Sequence, residues 1–326
     1  MTPANLTLAI ILGDTSTRSE RYTQYSRGKK MPKISYCFYK YAILDEAEEP
    51  IYTHEHADIM HGFAGNRVAH RKPEPSPNEY DTFIMRFRNQ VLAGLDCAIF
   101  DVARGVDVRV EHRYNPNTDD LELVDVPAND TIWTRFIMVP RMERMGIRDG
   151  SGDMLSASQG ANRLRSIVRG LSDFDFSFYR TATSGEVSQA ATRLGLTEFS
   201  FTSRPTNPHP VVPGEIMDEL MRKARVGKMT GKAEPVFGET MSVADEGLIS
   251  ESIGLAEEGY GQIGFKGTTN SGTEVAYPKP KFERSREGNI RQQAKASSLK
   301  VFVPTGDVDV SEEEYVVRTM IEIYDG

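Results

Sequence analysis

The sequence predicts an α+β fold, with mixed, mostly antiparallel sheets and helices packed on one face. Three observations predict it. Several stretches alternate apolar and polar residues with the period of a half-buried strand, as in Val106-Asp-Val-Arg-Val-Glu111. Residues 156–202 then run helix, strand, helix, strand, which calls for a helical layer on a sheet. The apolar and charged fractions, 39% and 26%, fit a folded globular chain rather than a disordered one.

In chain order, residues 1–33 are polar and weakly periodic, and read as an N-terminal extension. Met31-Pro-Lys33 directly precedes the first strong strand, Ile34 to Leu44, rich in aromatic and β-branched residues. Lys72 to Asn78 is a Pro-rich loop, and Asn115 to Asp120 is a dense turn signal between two strands, so a hairpin is expected there. Trp133 to Val139 adds another strand. Ser156 to Gly170 reads as a helix, Asp173 to Tyr179 as a strand carrying Phe174, Phe176 and Phe178, and Thr183-Ser-Gly-Glu186 as a capping box. Leu196 to Thr202 alternates again. The Pro-rich Arg204 to Pro210 segment suggests a boundary, giving an α+β domain over 34–204, β-rich in its first half, and a second α+β domain over 205–326. Helices at 214–224 and 244–258, a hairpin around Thr268 to Gly272, a strand at 296–303 and a helix capped by Ser311 complete the reading.

No apolar run reaches the ~20 residues of a membrane-spanning helix, and Leu6 to Leu12 lacks the basic flank and cleavage pattern of a signal peptide. Cys37 and Cys97, the only cysteines, imply no disulfide scaffold, so a cytoplasmic location without membrane contact is expected.

The formal charge of −8 argues against a surface that tracks nucleic acid everywhere. Its distribution is uneven. Lys279, Lys281, Arg284, Arg286, Arg291, Lys295 and Lys300 crowd residues 279–300 against only two acids, and residues 222–232 hold five bases and no acid. Such strips are candidate nucleic-acid contacts, with solvated loops or internal ion-pair partners as the plain alternative. A second constellation is Thr53-His-Glu-His-Ala-Asp-Ile-Met-His61. Imidazoles and a carboxylate this close suit Zn²⁺, which makes His54, His56, Asp58 and His61 candidate metal ligands. The cluster resembles the His-x-His-x-Asp-His signature of metallo-β-lactamase-fold hydrolases, except that its last histidine stands two positions late.

Other motifs fail on context. Gly259-Tyr-Gly-Gln-Ile-Gly264 matches G-x-G-x-x-G but leaves a helix and enters a strand, the reverse of a dinucleotide site. Pro205 and Pro208 break the helix that an Arg204-to-His209 ribonuclease spacing requires. Neither cysteine has a histidine beside it in sequence to serve as its base.

Residues 132–303 resemble a group of uncharacterised prokaryotic proteins associated with phage defence. The likeness rests on Phe201-Thr-Ser-Arg-Pro-Thr-Asn-Pro208, on Leu255-Ala-Glu-Glu-Gly-Tyr-Gly-Gln-Ile-Gly264, and on Gly267-Thr-Thr-Asn-Ser-Gly272 with the basic strip that follows. Their layout is similar to the phage-exclusion protein RexA and the Kiwa component KwaB, which bind DNA without a familiar catalytic motif. The resemblance implies a defence component that acts on nucleic acid or a protein partner, without assigning residue roles. The sequence points to no cofactor and leans away from an enzyme. The alternatives are a metal-dependent hydrolase built on the histidine cluster, and a structural subunit whose basic strips meet acidic surfaces of its own copies.

Overall fold

The computed structural model describes residues 34–71, 79–115, 120–150, 154–180, 184–205, 215–237, 239–243, 247–279, 298–304 and 310–325. The extension expected over residues 1–33 lies outside them. The strands in chain order are β1 (Ile34–Leu44), β2 (Arg67–Arg71), β3 (Glu79–Leu92), β4 (Leu95–Asn115), β5 (Asp120–Val139) and β6 (Arg144–Arg148). They continue as β7 (Asp175–Arg180), β8 (Gly195–Ser203), β9 (Met229–Ala233), β10 (Gly261–Thr268), β11 (Glu274–Tyr277) and β12 (Lys300–Val303). The helices are α1 (His56–Gly62), α2 (Ala157–Leu171), α3 (Ser184–Arg193), α4 (Glu215–Lys223), α5 (Leu248–Glu257) and α6 (Glu312–Tyr324).

All twelve strands join one sheet in the order β2-β3-β4-β5-β6-β1-β12-β11-β10-β8-β9, with β7 also paired to β1. The pairings are antiparallel, as the α+β reading requires. The sheet runs through the boundary suggested near residue 204. β8 before it pairs with β10 after it, Arg204 N–H donates to the Tyr260 carbonyl at 2.8 Å, and Ile34–Gly326 is one compact unit.

The expectation of helices on one face is corrected by the packing. In β1, Tyr36 and Phe38 face one core while Cys37, Tyr39, Tyr41 and Ile43 face another, because successive strand residues point to opposite sides. The first core takes Ala190 of α3, Met217 of α4, Ile253 of α5 and Val316 of α6. The second takes Met60 of α1 and Leu164, Ile167 and Val168 of α2. A sheet with apolar residues on both sides needs cover on both.

Local signals place the helices. Ser156 caps α2 by accepting from Gln159 N–H, and the Gln159 side chain returns the bond. Gly160 lets α2 lie close on the sheet, since a Cβ there would stand 2.5 Å from Thr134 Cγ2. Ser311 caps α6 through Glu314 N–H, with three acids in its first turn.

β4 and β5 are the longest strands, at 21 and 20 residues. β3 accompanies β4 only as far as Gly105. From Val106↔Asp130 to Asn115↔Asp120 the pair continues as a two-stranded ribbon among the described residues, after a register slip between Val106 and Val108.

Candidate functional site

The histidine cluster falls on a short 3-10 turn, Thr53–Glu55, and along α1, from His56 at its start to His61 in its last turn. His56 is buried. Its Nε2 lies 3.0 Å from the Ile51 carbonyl, which only accepts, so that nitrogen carries the proton. Nδ1 therefore accepts from the Tyr41 hydroxyl at 3.1 Å. Burial holds the His56 pKa below its ordinary value. His54 is instead exposed, 3.7 Å from Glu55 and stacked on Tyr52. Asp58 is exposed, and His61 rests against Phe87. Residues two apart on a helical turn do not face each other. Among the described residues no three metal-ligating side chains converge. The structure thus scatters His54, His56, Asp58 and His61 instead of gathering them.

His54 does enter a cleft of about 520 Å³ with Thr53, Asn89, Gln90, Asp96, Cys97 and Arg141. One wall is the β3–β4 turn, where Ala93 and Gly94 both take positive φ, 50° and 81°. Cys97 Sγ donates to the Leu95 carbonyl at 3.4 Å, and burial pushes its pKa up to about 12. It stays a thiol at neutral pH, which removes it as a nucleophile. The cleft is invisible in sequence because its walls come from residues 53–57, 89–97 and 140–141.

Of the basic strip, Lys279 and Lys300 are described, while Lys281, Arg284, Arg286, Arg291 and Lys295 lie outside the described residues. The two described lysines stand on the same side of the sheet. Lys279 Nζ donates to Thr202 Oγ1 at 3.1 Å, and its backbone passes so close over Gly264 that a Cβ there would sit 2.6 Å from Lys279 N. Lys300 bonds Asp149 at 2.5 Å; burial is the largest influence and opposes its charge, but the Asp149 hydrogen bond and the charges of Cys37 and Asp149 together outweigh it and the pKa rises.

Cross-strand register fills in the rest of this face. Lys300 pairs with Ala276, Ala276 with Lys266, Lys266 with Glu198, and Ser200 with Lys232. The apolar alternates Phe199, Phe201, Ile263 and Phe265 turn to the other side, into the first core. Lys232 and Lys266, each half exposed, converge on Glu198 at 3.5 and 3.0 Å, and the Lys266 hydrogen bond is the main reason its pKa falls. α2 packs on the same side of the sheet over β2 to β7. The second basic run is partly paired within its own helix, Arg222 with the buried Asp218 at 2.7 Å and Lys223 with Glu219 at 2.5 Å.

A third assembly gave no sequence signal. On the face under α6, the buried Asp101 lies 2.5 Å from Arg86 Nε and 3.1 Å from Arg135 Nε. Arg135 and Arg88 both donate to Glu313 Oε1, at 2.7 and 2.8 Å. Glu312 accepts from the Tyr36 hydroxyl at 2.5 Å. Burial, with Glu312 adding to it, pushes the Tyr36 pKa far up. Arg86 has φ 54° at a bulge in β3, and its guanidinium lies 4.1 Å from the Trp133 ring centroid. The partners lie up to 276 residues apart, which hides the network from any local pattern. It ties the acidic first turn of α6 to the sheet.

Neither a protein-family model nor a curated protein matches this chain.

Proposed function

We propose that this chain is a nucleic-acid-binding component of a prokaryotic anti-phage defence system, and that it grips the phosphate backbone on the lysine-bearing face of β8, β9, β10 and β12. The role is binding rather than catalysis. One observation carries the reading: Lys279 and Lys300, which bracket the basic strip, both stand on the face that also presents Lys232 and Lys266. The strip thus starts and ends on a polar face that carries four lysines against the two acids Glu198 and Asp149. Local density is what this mechanism needs, because the net charge of −8 repels a polyanion at long range. The defence context comes from the resemblance carried by the Phe201 to Pro208 turn, the Leu255 to Gly264 corner and the strip itself. The hydrolase reading is not carried forward, since both His56 ring nitrogens are engaged within the fold.

The test is fluorescence anisotropy on a short duplex and on single strands, titrated with salt. Contact with about three phosphates gives a log–log salt slope of roughly −2 to −3. Replacing Arg284, Arg286 and Arg291 together with Ala is expected to weaken binding and flatten that slope. Identical curves for the two proteins remove the strip from the mechanism. No retention at about 50 mM salt refutes nucleic-acid binding itself.

A further inference from the structure

We infer that the outer face of α4 is a self-association surface, which pairs antiparallel with α4 of a second copy of this chain about a two-fold axis. Among the described residues seven large apolar side chains are exposed, and five of them, Ile216, Leu220, Val236, Phe237 and Leu248, fall within residues 216–248. Ile216 and Leu220, 53% and 61% exposed, stand one turn apart on α4, so they form one stripe. Met217 and Met221 turn the opposite way, into the core. The helix is thus apolar on both sides, the mark of an element covered twice.

Charge selects the occupant. The first turn of α4 carries Glu215 and the buried Asp218, and its last turn carries Arg222, held by Asp218, and Lys223, which stays 72% exposed beside Glu219. A two-fold axis on the outer face, midway between Ile216 and Leu220, brings Ile216 of each copy against Leu220 of the other. The same operation sets Glu215 of each copy beside the Arg222–Lys223 end of the other, and aligns the two helix dipoles head to tail. The surface is therefore complementary to itself, in the apolar stripe and in both charged ends. A nine-residue helix is only about 13 Å long. Two such faces bury less than the roughly 1,200–2,000 Å² of a standard stable interface, so a reversible dimer of micromolar affinity is expected.

Sedimentation velocity on the full chain, from about 1 to about 100 µM, tests this, a range that brackets the affinity expected of a small interface. The wild type is expected to pass from monomer to dimer in that range, and Leu220→Lys to remain monomeric throughout. Leu220 is exposed, so an unchanged circular dichroism melt checks that the variant still folds. The discriminating set exchanges charge: Glu215→Lys and Lys223→Glu each weaken the dimer alone, and the double variant restores it. A wild type that stays monomeric at the highest concentration overturns the proposal. So does a dimer indifferent to Leu220→Lys, or a charge pair without recovery. If deleting residues 1–33 converts a monomer into a dimer, that segment is the occupant and the proposal falls.

Discussion

Replacing Asp101 with Ala removes the shared counter-ion of Arg86 and Arg135. Asp101 is 1% exposed, while the Arg135 side chain is 18% exposed and that of Arg86 is 48% exposed. Breaking a buried pair by deleting one partner typically costs ~3–5 kcal/mol, because a charge is left in low dielectric. Two features soften that here: Arg135 keeps Glu313 at 2.7 Å, and Arg86 keeps water and the Trp133 ring. About 3 kcal/mol is the expected loss, or roughly 5 °C in melting temperature for a unit that spans Ile34–Gly326. Trp133 is the only tryptophan, so urea unfolding followed by its fluorescence reads the site directly. The midpoint should fall with the slope unchanged. Arg86→Ala, which removes a half-exposed partner, should cost much less. An Asp101→Ala change below about 1 kcal/mol would refute the claim that Asp101 is the buried counter-ion of Arg86 and Arg135.

Other outcomes follow from the same geometry. His56 titrates below its ordinary value of about 6.5, so the native state binds fewer protons than the unfolded one and stability is lost as pH falls from that value toward the folded pKa. Urea midpoints from pH 7 to pH 5 should show the decline, with a shallower slope in His56→Gln. Gly160→Ala forces a Cβ to within 2.5 Å of Thr134 Cγ2 and should cost about 1–3 kcal/mol, whereas Gly185→Ala meets nothing within 4 Å and should be neutral or slightly stabilising. Deleting residues 1–30, polar in composition, should move the melting midpoint by less than about 4 °C in differential scanning calorimetry.

What the sequence made legible was local. The aromatic and β-branched run Ile34 to Leu44 is β1 over the same residues, and the Ser311 cap opens α6 where expected. The Gly259 to Gly264 motif is a helix-to-strand corner, with α5 ending at Glu257, Gly259 at φ 83° and β10 starting at Gly261. Pairing order was not legible. β1 sits between β6 and β12, partners more than 100 and 250 residues away, and no short window encodes that choice. The Pro-rich stretch at 204–210 read as a boundary because turn chemistry marks where an element stops, not whether the sheet continues beyond it. Among site residues, spacing grouped the histidines, yet burial separates His56 from His54 and gives them unrelated surroundings.

Among the described residues no third strand accompanies the outer stretch of β4 and β5, a geometry that would let it act as a lever. Ten residues at ~3.3 Å each carry its tip about 33 Å beyond the last residue held by β3. The register slip between Val106 and Val108 lies at its fulcrum. A rotation of about 10° there sweeps the Asn115–Asp120 end through about 6 Å, while displacing the base by a fraction of an ångström. Fluorophores at Asn115 and at a β1 position would read such sub-ångström shifts at the sheet as changes in transfer efficiency.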